Sequence, residues 1–114
     1  MLKKTVFDQL VIEAIDEVLS SLGEPVKSDL YIRLEDYFCI QKHDIPQRIE
    51  EFSKMLGRTF GTSSWLLEVK CMKALNGKIR NCPELQVNSK KLAENDMTLA
   101  NYVKKMRENL QPKP

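Results

Sequence analysis

This 114-residue chain holds one histidine, His43, and that scarcity excludes much. General acid–base catalysis, activation of a nucleophile and transition-metal ligation all draw most often on imidazole. His43 stands between Lys42 and Asp44 in a polar stretch and reads as a solvated residue, with no second histidine to share a metal. Long apolar runs are missing too. Leu10-Val11-Ile12 is cut short by Glu13, and nothing approaches the roughly 20 apolar residues that a membrane span needs. The opening Met1-Leu2-Lys3-Lys4 meets Asp8 before an apolar stretch develops, which argues against a secretory signal and makes a cytoplasmic location the expectation. The three cysteines, Cys39, Cys71 and Cys82, form no CxxC pair. They suit reduced thiols acting as small apolar groups.

Carboxylates are plentiful but not arranged for chemistry. Asp16-Glu17, Glu35-Asp36 and Glu50-Glu51 are neighbours, and adjacent residues on a helix point about 100° apart. Neither a shared proton nor a bidentate metal clamp follows. Glu13 and Glu17 do share a helix face, and without backing ligands they read as a solvated acidic surface. Glycine-rich phosphate loops, nucleophile elbows, zinc-ligand spacings and EF-hand loops are all missing. The expectation is a protein that is not an enzyme, with no cofactor and no metal.

What is present is a dense set of helix stops and starts. Hydrophobic residues at 42% and charged residues at 30% describe an ordinary globular chain, and its length suits one domain spanning 1–114. Leu22-Gly23-Glu24-Pro25, Asp44-Ile45-Pro46 and Phe60-Gly61-Thr62-Ser63 each close one amphipathic segment and open the next. The expected fold is all-α, a compact bundle of about five helices with its core in 5–77 and a C-terminal extension over 78–114.

The first helix is expected from Thr5, as its cap, to Leu22, with Phe7, Leu10, Val11, Ala14, Val18 and Leu22 on one stripe. Ile12, Ile15 and Leu19 make a second stripe beside it, so wide an arc that the helix is either central or paired with another chain. A second helix starts near Pro25 with Val26, Leu30, Leu34 and Tyr37 facing inward, broadened by Tyr31 and Phe38. Asp29–Arg33 and Arg33–Asp36 are spaced for exposed ion pairs. Ile40 and Ile45 read as plugs from a short loop, Ile45 extended because proline follows it. The third helix, 46–60, carries Ile49, Phe52, Leu56 and Phe60, with Gly57 allowing a neighbour's close approach. The fourth, 63–76, carries Trp65, Val69, Met72 and Asn76 along one line with Leu66 and Leu75 alongside, Trp65, Val69 and Met72 reading as core, and Gly77 can stop it. Residues 78–95 read as an irregular connection. The last helix, 97–110, repeats Leu99, Val103, Met106 and Leu110 and is capped by Asp96 or Thr98.

Charge is unevenly distributed. Residues 1–68 carry 8 Lys/Arg against 12 Asp/Glu, a balance of −4, and residues 69–114 carry 10 against 4, a balance of +6. The two halves suit attraction within one fold, attraction between copies, or an acidic partner for the basic half. Two surfaces follow as candidates. Docking to a protein partner or a second copy in a homodimer would use Ile12, Ile15 and Leu19, or Leu99, Val103 and Met106. The alternative is nucleic acid, held by Lys70 and Lys73 on a recognition helix after the Gly61-Thr62 turn, and by Lys104, Lys105 and Arg107. A pI of about 8.4 falls below what dedicated nucleic-acid binders show. No membrane partner is expected.

Over residues 11–76 the punctuation and core positions together resemble a small archaeal domain family, the Nitrosopumilus output domains. The residues that carry the resemblance are Leu22-Gly23 with Val26, Leu34 before Tyr37-Phe38, Asp44-Ile45-Pro46, Phe52, Leu56 and Phe60-Gly61. The resemblance implies a helical module with an output or protein-contact role in signalling and no assigned reaction. Residues 78–114 lie outside it, which makes the final helix a place for dimerisation or partner selectivity.

Overall fold

A computed structural model describes residues 2–82 and 98–109, with side chains from 6 to 82 and 98 to 108. The chain is all-α, and no strand occurs among the described residues. Helix α1 spans Leu2–Ser20, α2 Glu24–Phe38, α3 Ile49–Phe60, α4 Ser64–Arg80 and α5 Leu99–Asn109. Two 3-10 turns, Lys42–Arg48 and Gly61–Ser63, lead into α3 and α4. No helix among the described residues is long and apolar enough to cross a membrane.

The wide apolar arc of α1 makes it the central helix. Phe7, Val11, Ala14, Ile15, Val18 and Leu19 are all buried, and α1 packs along α4 while also touching α2, α5 and the Lys42–Arg48 turn. It begins earlier than the sequence suggested, so Thr5 lies inside the helix and is not its cap. Gly23, at φ 102, turns the chain into α2, and Pro25 occupies the first turn, where its missing N–H costs nothing.

Helix α2 buries Leu30 and Leu34 and half-buries Tyr31 and Phe38, but Val26 and Tyr37 point outward, correcting the expected stripe. It ends at Cys39 in the left-handed region, φ 56, where the Cys39 N–H reaches the Glu35 carbonyl at 3.1 Å. Ile40 and Ile45 are indeed plugs, both fully buried. Ile45 is not extended, however, because it and Pro46 lie within the Lys42–Arg48 3-10 turn, and both are buried there. Proline's fixed φ is compatible with that turn, so α3 starts at Ile49 and not at Pro46.

Helix α3 buries Ile49, Phe52, Met55 and Leu56 and half-buries Phe60. A methyl group at Gly57 would meet nothing within 4 Å, so no helix exploits its missing side chain. Gly61, at φ 63, ends the helix. Helix α4 runs through Gly77 to Arg80, four residues past the expected stop, and the beginning of the expected irregular segment is therefore helical. Residues 83–95 of that segment lie outside the described residues, as do the expected cap Asp96 and Leu110. Thr98 does cap α5, accepting the Asn101 N–H at 3.1 Å. Leu99, Val103 and Met106 join the one hydrophobic core, so the core does not stop at residue 77.

Candidate functional site

The anticipated docking residues are mostly inside. Ile15 and Leu19 on α1, and Leu99, Val103 and Met106 on α5, are fully buried within the monomer, and Ile12 is half-buried. Small bundles need nearly all such residues for their own interior, and here they are used for it. Neither proposed apolar face is available for a partner while the chain is folded.

The basic C-terminal half meets the acidic N-terminal half within the molecule. Lys78 pairs with Glu17 and lies 3.8 Å from Glu13, Lys104 pairs with Glu50, and Arg107 pairs with Asp8 at 2.6 Å while also donating to the Pro46 carbonyl. Each joins an acid from residues 1–68 to a base from residues 69–114. Surface pairs of this kind contribute about 0–1 kcal/mol apiece, so their main effect is to fix how α4 lies on α1 and how α5 lies on α1 and α3. Lys104 and Arg107 are thus engaged, which removes them from a free phosphate-binding surface. Lys70, Lys73 and Lys105 remain exposed.

A shallow depression of about 420 Å³ is lined by Tyr31, Glu35, Ile40, Gln41, Lys42 and His43. Two of its polar groups, Tyr31 and Lys42, are engaged by Asp16 beside it. Tyr31 donates to Asp16 Oδ1 at 2.9 Å, and Lys42 Nζ lies 3.1 Å from the same oxygen and 5.4 Å from the Tyr31 ring centre. Burial alone would raise the Asp16 pKa, but the Lys42 and Tyr31 hydrogen bonds and the Lys42 and Lys27 charges together hold it below the ordinary value. Burial, with Asp16 facing it, raises the Tyr31 phenol well above its usual range. His43 contacts Asp44 at 3.4 Å on the surface. No group of three or more His, Cys, Asp or Glu that could hold a metal occurs among the described residues.

The informative surface is the outward side of α4. The helix buries Leu67, Cys71, Leu75 and Ile79, a line of four-residue steps. At 100° per residue the opposite arc carries Trp65, Asn76, Val69, Arg80, Lys73, Leu66, Gly77 and Lys70, in that angular order. Trp65 is 61% exposed and Leu66 49% exposed, correcting the expectation that Trp65 faces the core, whereas Met72 packs against the core as expected. Every exposed charged residue on α4 is a cation: Lys70, Lys73 and Arg80. The one acid, Glu68, is half-buried and accepts the Leu99 N–H at 3.0 Å, tying α4 to the start of α5.

The outward side of α2 has the opposite character. Ile32 is 55% exposed and Tyr37 75% exposed, and Val26 nearer the start of the helix is exposed as well. Glu24, Asp29, Glu35 and Asp36 are exposed on this helix against one exposed cation, Arg33, which pairs with Asp29 at 2.8 Å. Sequence reasoning missed both surfaces. The signal was present in α4, where two apolar lines compete and only the one through Trp65 ends in a polar residue, Asn76.

No family model matches the chain, and no curated protein or solved structure matches it significantly either.

Proposed function

We propose that this chain is a non-enzymatic interaction module of a regulatory kind, working in the cytoplasm and docking a protein partner through the outward side of α4. The observation that carries the reading is the exposed Trp65–Leu66 pair. A small bundle that buries 23 apolar side chains among the described residues leaves its one tryptophan in water at a cost in hydrophobic free energy. Tryptophan is also the residue most enriched where binding energy concentrates. The three free thiols accord with a reducing compartment, and the resemblance to archaeal output domains points to the same kind of role. The surface position of His43, and the mutual engagement of Tyr31, Lys42 and Asp16 beside it, support a reading without catalysis.

The test is a photoreactive amino acid placed at Leu66 in the chain's native cells, with one at exposed Gln9 as control. Protein adducts from position 66 and none from position 9 are expected. Absence of protein adducts from position 66 would contradict the reading. A second reading is favoured by Lys70, Lys73 and Arg80 sharing the face with an aromatic ring: phosphates gripped by the lysines and a base stacked on Trp65. Binding to generic duplex or single strands that falls steeply with salt, and is lost in K70E/K73E, would select it.

A further inference from the structure

We propose that the outward sides of α2 and α4 recognise each other between copies of this chain, α2 of one molecule lying against α4 of the next. The proposal rests on the reading of α4 as a protein-docking face and names its occupant as a second copy. The two surfaces are opposite in charge. Glu24, Asp29, Glu35 and Asp36 against Arg33 and the half-buried Lys27, which pairs with Glu24, give α2 a balance of −2, and three exposed cations with no exposed acid give α4 a balance of +3. Each also holds out-turned apolar side chains of the same scale, Ile32 and Tyr37 on α2, Trp65 and Leu66 on α4.

Length matches as well. The helices have 15 and 17 residues, so at a rise of about 1.5 Å per residue both are roughly 22–26 Å long. Within one molecule these surfaces cannot meet, because each helix turns its other side, Leu30 and Leu34 or Leu67, Cys71, Leu75 and Ile79, toward the shared core. A like-with-like contact of α4 on α4 would bring three cations against three, and α2 on α2 would oppose its unpaired acids. The favoured contact is therefore heterologous, with different patches on the two copies. One helix on one helix covers less area than a stable dimer needs, so association is weak, transient and salt-sensitive.

Sedimentation of the full chain over a wide concentration range tests the proposal. The expected result is a mass that rises with concentration at low salt and falls back toward the monomer at high salt. K70E/K73E and E35K/D36K, all at exposed positions, should each stay folded by circular dichroism and lose association about tenfold or more when alone. Mixed together they should associate again, because the intact α2 of the first meets the intact α4 of the second. A wild-type monomer at every concentration overturns the proposal, as does an oligomer indifferent to both variants or a mixture that remains monomeric. Protein adducts at position 66 from a different protein, with a monomeric wild type, would leave the docking reading standing and remove only the self-recognition.

Discussion

Helices α5 and α4 make an instructive pair. Helix α5 carries one apolar line, Leu99, Val103 and Met106, and buries it. Helix α4 carries two, buries Leu67, Cys71, Leu75 and Ile79, and leaves Trp65 and Leu66 in water. Where a helix has a single stripe, periodicity decides its orientation. Where it has two, the neighbours decide, and the stripe left over is the surplus from which a binding surface is made.

The largest expected effect separates the two lines of α4 directly. Leu75→Ala should lower stability by about 2–5 kcal/mol, the range for truncating a buried leucine, whereas Trp65→Ala should change it by about 0.5 kcal/mol or less. Chemical denaturation measures both, and equal losses would mean that the stripe through Trp65 is core after all. High pH probes the buried positions of both helices. Burial pushes the Cys71 thiol up to about 12 from 9.0 and the Tyr102 phenol up to about 12 from 10.0, so the folded protein holds these protons after the unfolded chain has released them. Stability should therefore fall as pH rises from 9.0 toward 12, and Cys71→Ala should flatten the first part of that decline. A pH-independent stability over that range would place both groups in water. The smallest effect concerns the entry to α5. Thr98→Ala removes the hydroxyl that accepts the Asn101 N–H and should cost about 1 kcal/mol, read as a lowered denaturation midpoint.

Much of the architecture was legible because it rests on local chemistry. Gly23 and Gly61 take the positive φ values that end a helix, and Pro25 sits where a first turn tolerates it. Ile40 and Ile45 are buried because they are the apolar residues in an otherwise polar connection. The α5 stripe stood out because Asn101, Lys104, Lys105 and Glu108 give that helix a polar side opposite it. What was not legible depends on contacts distant in sequence. Ile45 before Pro46 suggested extended chain, yet both are folded into a buried 3-10 turn on which α1 packs and to which Arg107 donates from α5. Gly77 suggested a stop, yet the packing of Leu75 and Ile79 carries the helix past it. The candidate binding surface was hidden for the same reason. Trp65 is the bulkiest apolar residue of its helix, and bulk alone assigns it to the core; only the position of α1 alongside α4 shows that Cys71, the smaller residue, faces inward.

Because Trp65 is the only tryptophan, its fluorescence reports on the outward side of α4 without labelling. Quenching by acrylamide in dilute monomer is predicted to be nearly as efficient as for free tryptophan, with red-shifted emission. Blue-shifted emission shielded from the quencher under those conditions would contradict the account of α4 on which the binding surface depends.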